Sequence, residues 1–210
     1  MRVVYLHGFA SSPGSSKARF FRQKFEAHGV PIEIPQLDEG DFKGLTITRQ
    51  LDVIDRAING EPAVLMGSSL GGYLAALHAA RNPKIEKLVL LAPAFQFPTR
   101  WRQRYTSEDL ALWKQMEYMP VYHYGQNSQA HLGYQFFEDA QGYENEPEFK
   151  QRALILHGSE DTIVPVEVSK TFALRRPHVQ LQVLRSGHEL TDVLDQLWDE
   201  SAEFLGLGKG

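Results

Sequence analysis

The stretch Pro62–Ala80, PAVLMGSSLGGYLAALHAA, decides the fold. Its nineteen residues carry no formal charge, and a run of that length is close to a membrane span. Gly67-Ser68-Ser69 and Gly71-Gly72 interrupt it in the middle. A strand over Ala63–Gly67, a tight turn and an Ala-rich helix account for this better than one continuous apolar helix. Gly67-Ser68-Ser69-Leu70-Gly71 fits the pattern G-x-S-x-G. Such a turn holds a serine hydroxyl clear of a sheet, so its neighbours must lack bulk. Gly67 and Gly71 meet that need, and Gly72, Ala75 and Ala76 let the helix approach closely. The helix N-terminus brings backbone N–H groups and a positive partial charge beside Ser69. Ser69 is the candidate nucleophile, and Ser68 sits one position early. The bland alternative is a Gly/Ser turn that only joins a strand to a helix.

Similar apolar runs recur on both sides of this stretch. Val3–His7, Ile32–Ile34, Leu88–Ala92, Ala153–His157 and Gln180–Leu184 are short, mostly continuous and rich in β-branched or aliphatic residues. Strands buried on both faces look like this, which predicts a parallel sheet. Helical patterns separate the runs. Ser15 or Ser16 caps a helix carrying Phe21 and Phe25 and ended by Gly29. Ile47, Leu51, Ile54 and Ile58 form one stripe of a second helix, stopped near Asn59-Gly60. Val166–Arg176 ends before Pro177, and Leu194, Leu197, Trp198 and Leu205 line a final helix. The expected class is α/β: an open, mostly parallel sheet of about six strands with helices on both faces.

The alternation fails once, for about sixty residues between Leu91 and Ala153. A structureless loop of that length is unusual, so an insertion with its own structure is expected over about 95–150. It holds thirteen of the 23 aromatic residues. Ser107–Glu117 reads as a helix, and Val121–Tyr124 with Leu132–Phe137 as a hairpin. The insertion is either a lid or pocket wall, which would leave Tyr122, Tyr124 and Tyr134 exposed, or aromatic packing against the sheet edge. The expected organisation is a single domain over residues 1–210.

A serine nucleophile needs a base, and the base needs an orienting acid. His188, in Arg185-Ser186-Gly187-His188, follows the last strand, and Asp161, in His157-Gly158-Ser159-Glu160-Asp161, follows the one before. All three loops then leave the carboxyl edge of a parallel sheet, where open α/β sheets bind ligands. Glu160 is a rival acid. Asp192 and Asp195 suit the first turn of a helix. His157 and His78 read as packed residues, and His123 and His131 as insertion residues that either face solvent or touch substrate. At the first strand, His7-Gly8-Phe9-Ala10 opens a loop of small residues, Ser11 to Gly14. That loop could present the Phe9 N–H as an oxyanion donor beside the Leu70 N–H, or simply connect strand and helix.

Composition narrows the classes. The chain has 210 residues, no cysteine and a net charge of −4. Disulfides, thiolate metal sites and cysteine nucleophiles are excluded. No basic stripe suits nucleic acid or anionic membrane, so neither partner is expected. Met1-Arg2 leads straight into the first strand, so no secretory leader is expected and the expected compartment is the cytoplasm. Gly8 to Gly14 misses the P-loop spacing and lacks its lysine, and His188-Glu189-Leu190-Thr191-Asp192 lacks the second histidine of a zinc protease. No G-x-G-x-x-G follows a strand.

Taken together, the motifs resemble an α/β-hydrolase over nearly the whole chain. Within that superfamily they resemble the small, compact bacterial esterases of the YqiA-like type. Those begin with a strand running into H-G-F-x-S-S-P, here His7 to Pro13, and carry a G-S-S-L-G-G elbow, here Gly67 to Gly72. They end with H-G-x-x-D-x-x-V-P, here His157 to Pro165, and G-H, here Gly187-His188. The resemblance implies Ser69 as nucleophile, Asp161 as acid and His188 as base, with Phe9 and Leu70 as backbone oxyanion donors. It implies strand order 2-1-3-4-5-6. It also implies a cofactor-free serine carboxylesterase acting on small-molecule acyl esters, as a monomer or homodimer. A thioesterase, a small peptidase or an acyltransferase would use the same groups, and a non-catalytic ligand receptor would use none of them. The long, Tyr-rich insertion departs from the compact branch and bears on substrate class.

Overall fold

The computed structural model describes residues 1–208. In chain order its elements are β1 (Val3–Leu6), α1 (Ser16–Ala27), β2 (Ile32–Glu33), α2 (Ile47–Ile58), β3 (Ala63–Ser68), α3 (Leu70–Arg81) and β4 (Ile85–Leu91). The insertion follows as α4 (Phe97–Gln103), α5 (Ser107–Met116), β5 (Tyr118–His123), β6 (Ser128–Gly133) and α6 (Gln135–Ala140). Then come β7 (Arg152–Gly158), α7 (Val166–Leu174), β8 (Val179–Leu184) and α8 (Leu194–Leu205).

Six strands pair in the order β2-β1-β3-β4-β7-β8, every neighbouring pair parallel. Counting core strands alone, this is the expected 2-1-3-4-5-6. Successive residues of a strand point to opposite faces, and each face carries its own core. Val4, Leu6, Leu65, Leu88, Leu90 and Ile155 face α2, α3, α7 and the insertion. Val3, Tyr5, Met66, Val89, Leu91 and Leu154 face α1 and α8. Both faces are covered, which is why the central runs are continuously apolar. The chain leaves β1 towards β2 and returns to pair β3 on β1's other side. The carboxyl ends of β1 and β3 therefore flank the point where strand order reverses, the crevice where such sheets bind ligands.

Local signals set the helix ends. Ser15 Oγ accepts the Ala18 N–H at 3.3 Å and Thr46 Oγ1 accepts the Arg49 N–H at 3.0 Å, each closing an N-cap. Asn59 ends α2 at φ 52°, and Gly29 follows α1 at φ 67°. Helix α7 stops at Leu174, two residues before the expected end.

The insertion corrects two expectations. Its hairpin pairs Tyr118–His123 with Ser128–Gly133, so the second strand starts before Leu132 and ends at Gly133. Residues from Gln135 on form α6, because Phe136 and Phe137 bury at helical rather than alternating spacing. A short apolar run does not by itself separate these two states. Helix α4 was not expected at all. Trp101 and Trp113 anchor the insertion, Trp113 donating from Nε1 to the Leu132 carbonyl at 3.1 Å. Among the described residues no helix is long and apolar enough to cross a membrane.

Candidate active site

Ser69 stands between β3 and α3 at φ 53°. A residue with a Cβ pays for that left-handed backbone, about 1–3 kcal/mol, and keeps it only where its surroundings enforce it. They do so here. The Ser69 N–H donates to the Leu91 carbonyl at 2.9 Å, and the Ser69 carbonyl accepts from Gly72 N and Ala94 N, each at 3.0 Å. The flanking glycines are sterically required. A Cβ on Gly67 would lie 2.3 Å from the Gly71 carbonyl oxygen, and one on Gly71 would lie 2.1 Å from that of Leu6. Ser68 is buried with its side chain against the Tyr5 hydroxyl, on the α1 side of the sheet. Only Ser69 faces the cleft.

His188 and Asp161 come from the loops after β8 and β7. His188 Nε2 lies 2.9 Å from Ser69 Oγ, and His188 Nδ1 lies 2.7 Å from Asp161 Oδ2. A carboxylate accepts, so Nδ1 carries the hydrogen and Nε2 is left to accept from the serine hydroxyl. The other carboxylate oxygen, Oδ1, accepts the N–H groups of Ile163 at 2.9 Å and Val164 at 2.8 Å. Burial of Asp161 by itself raises its pKa. The His157 and His188 imidazoles and the Val164 N–H outweigh it and hold the carboxyl well below the usual carboxylate range. Glu160, the rival acid, is exposed and faces Arg185 instead.

The loop carrying His188 is fastened from several sides. The Lys17 ammonium, buried in α1, donates to the Glu189 carbonyl, and burial pushes its pKa down. Ser186 Oγ donates to Asp192. Leu190 is buried in the α1–α8 core. Gly158 lets β7 pass beneath, because a Cβ there would lie 2.3 Å from the Ser186 carbonyl oxygen.

A cleft of about 450 Å³ opens over Ser69. Phe9 and Leu70 line it, and among the described residues neither of their backbone N–H groups donates to a protein acceptor. The far wall is helix α4, through Phe97, Arg100 and Trp101, with Arg104 just after it. The Phe9 ring packs 5.3 Å from Trp101 and 5.5 Å from Phe136 between centroids, so insertion aromatics clamp the loop after β1. Tyr122 and Tyr124 are exposed as a lid would require, yet they do not line the cleft. Tyr134 is half-buried and packs edge-on against Trp113 at 5.5 Å. His123 is buried, 3.5 Å from Asp38, and the His131 ring packs tilted against Tyr118 at 4.3 Å between centroids. Among the described residues no group of three or more His, Asp or Glu side chains is placed to hold a metal ion.

Residues 2–204 match a family model described as "Uncharacterised protein family (UPF0227)". The chain belongs to this family. That bears out the resemblance to the YqiA-like group. Solved structures similar to this UPF0227 member show the α/β-hydrolase fold. One is Est1E from Butyrivibrio proteoclasticus, solved with ferulic acid bound: TM-score 0.84, 19% identity, 97% of this chain and 87% of that one covered. Another is mouse alpha/beta hydrolase domain-containing protein 10: TM-score 0.82, 18% identity, with 98% and 89% covered. A third is a monoacylglycerol lipase from Paleococcus ferrophilus: TM-score 0.75, 18% identity, with 97% and 93% covered.

Three site residues escape a reading of the UPF0227 sequence. Arg100 and Arg104 enter the cleft only because 97–103 is helical; Pro98 at the helix start is a local signal for the helix, but not for the face it turns to the cleft. His157 is packed as expected, but its Nε2 also lies 3.1 Å from Asp161 Oδ2.

Proposed function

We propose that this chain is a serine hydrolase that cleaves carboxylic esters of small acyl substrates. The observation that carries this reading is the unbroken chain from Ser69 Oγ through His188 to Asp161, at 2.9 and 2.7 Å. In this reading Ser69 attacks the ester carbonyl while His188 Nε2 takes the hydroxyl proton. Asp161 holds the His188 ring in the required tautomer and stabilises the imidazolium. The Phe9 and Leu70 amides receive the oxyanion. His188 returns the proton to the leaving alcohol, then activates water to cleave the acyl-enzyme and regenerate Ser69. A cleft of about 450 Å³ lies in the lower half of the roughly 300–1,000 Å³ range of ligand sites, which favours small substrates. The esterase and lipase names among the structural neighbours agree with this class.

Labelling with a fluorophosphonate tests it. The wild-type chain should acquire the probe at Ser69, and S69A should not. A chain that stays unlabelled while folded is a ligand receptor rather than a hydrolase. Oxygen and thiol esters of one acyl chain, assayed side by side, separate an esterase from a thioesterase. The same cleft chemistry leaves room for a small peptidase or acyltransferase, which amide substrates and added acceptor alcohols would reveal.

A further inference from the structure

We infer that the cleft over Ser69 selects substrates that carry an anionic group, a carboxylate or a phosphate, beside the apolar part of the molecule. The inference deepens the ester-hydrolase reading by naming its substrate class. Two arginines, Arg100 and Arg104, line the cleft together with Ser69. Among the described residues no Asp or Glu lines it. Arg2, Arg49, Arg56, Arg81, Arg176 and Arg185 each face a carboxylate elsewhere in the molecule. Among the described residues Arg100 and Arg104 face none; Arg19, Arg22, Arg102, Arg152 and Arg175 share that, but of these seven only Arg100 and Arg104 line the cleft. Arg100 donates to the carbonyl of Ile163, another lining residue, and among the described residues its other donors meet no acceptor. Arg104 is exposed, and among the described residues its guanidinium makes no hydrogen bond or ion pair.

Unpaired guanidinium groups in a concave, partly apolar site are a specific kind of surface. They stay charged at every physiological pH and present planar forks matching carboxylate and phosphate oxygens. The remaining walls, Phe9, Phe97, Trp101 and Ile163, are apolar. The arrangement suits an ester with an apolar portion against the aromatics and an anion on the arginines. The anion lies on whichever side of the ester points along α4.

Binding to the S69A chain tests this whether or not the wild type hydrolyses esters. Calorimetry would compare phenyl butyrate, 4-carboxyphenyl butyrate, 4-phosphonophenyl butyrate and 4-(trimethylammonio)phenyl butyrate. A second pair, phenyl hexanoate and monophenyl adipate, puts the charge on the acyl side. We expect an anionic member of at least one set to bind about tenfold or more tighter than its neutral counterpart. The cationic ester should bind weakest, and R104E should erase or invert the anion preference. The carboxylate and phosphonate arms show which anion fits better. Equal binding of anionic and neutral esters in both sets overturns the inference, as does an anion preference that survives both R104E and R100Q. Hydrolysis of the same esters by the wild type then reports on the ester-hydrolase reading separately. Turnover without charge preference sinks only the inference, and charge-selective binding without turnover sinks only the hydrolase.

Discussion

His157 Nε2 lies 3.1 Å from Asp161 Oδ2, the same oxygen that His188 Nδ1 meets at 2.7 Å. It also lies 2.8 Å from the Val164 carbonyl, an acceptor only, so Nε2 carries a hydrogen. Its other nitrogen meets Ser169 Oγ at 2.8 Å. His157 has no exposed surface and cannot reach substrate. In the proposed mechanism it is a positioning residue: it holds the Asp161 carboxylate, which in turn holds His188. Replacing it with Phe removes a donor to a buried carboxylate, worth about 1.5–3 kcal/mol. H157F should lower kcat about tenfold or more, leave KM within about twofold, and reduce stability. H157Q, which keeps a donor, should recover part of kcat. A large rise in KM with unchanged kcat would place His157 in substrate binding instead.

Gly71, in the first turn of α3, packs against the carboxyl end of β1, and the atoms in the way of a Cβ are backbone. Backbone of a central strand cannot give way as a side chain can. G71A should therefore cost more than about 3 kcal/mol or prevent folding. For a chain of this size each kcal/mol lowers Tm by roughly 2–4 °C. G187A is the control, since nothing lies within 4 Å of a Cβ at Gly187; its Tm should stay within a few degrees of wild type. Thermal melts of the two variants make the comparison.

Burial lowers the His7 pKa below its ordinary value, against weaker opposing effects of the Gly8 carbonyl and Asp38. His7 Nδ1 donates to the Gly8 carbonyl at 3.0 Å, and Nε2 accepts the Leu37 N–H at 3.4 Å. A second ring proton would put N–H against N–H. The unfolded chain takes up that proton as pH falls below about 6.5, and the folded chain resists it. The stability His7 contributes is therefore complete above that pH and is lost as pH falls through the folded pKa. His78, buried and likewise lowered by burial, acts in the same direction. Urea midpoints should decline between about pH 6.5 and pH 5, and the double variant H7Q/H78Q should show a flatter decline. An unchanged slope would remove these two groups as the cause.

The parallel sheet and the order of Ser69, Asp161 and His188 were legible because they rest on local chemistry. Continuous apolar runs mark strands covered on both faces, and Gly67 and Gly71 mark a turn where a Cβ cannot fit. Ser68 and Ser69 were separable by spacing alone. Alternation of strand faces then sends Ser68 to Tyr5 and Ser69 to the cleft. The insertion was less legible because its aromatics bury by tertiary contact. Phe136 and Phe137 read equally well as strand or helix until Phe9, Trp101 and Trp113 give them partners. Arg100 and Arg104 were invisible as site residues for the same reason, since nothing local says which way α4 faces. His157 heads the H-G-x-x-D motif at a strand end, but neither feature shows its contact with Asp161, which depends on how the turn after β7 folds back.

Whether the insertion gates the site or braces it can be decided at Phe136. This residue is fully buried and packs on Phe9, Phe97 and Trp101 at centroid distances of 5.5, 5.9 and 5.1 Å, without lining the cleft itself. Its removal would loosen Phe9, whose backbone N–H is the candidate oxyanion donor. Losing alignment of one such donor costs about 10²–10³ in kcat when complete. A partial loosening in F136L should lower kcat several-fold with little change in KM, alongside a stability loss of about 1–2 kcal/mol from the lost ring contacts. Tyr124, 75% exposed at the hairpin tip, is the matching probe for a gate. Y124A should change neither kcat nor KM if the insertion is a brace. An altered rate in Y124A together with an unaltered rate in F136L would make the hairpin a moving cover instead.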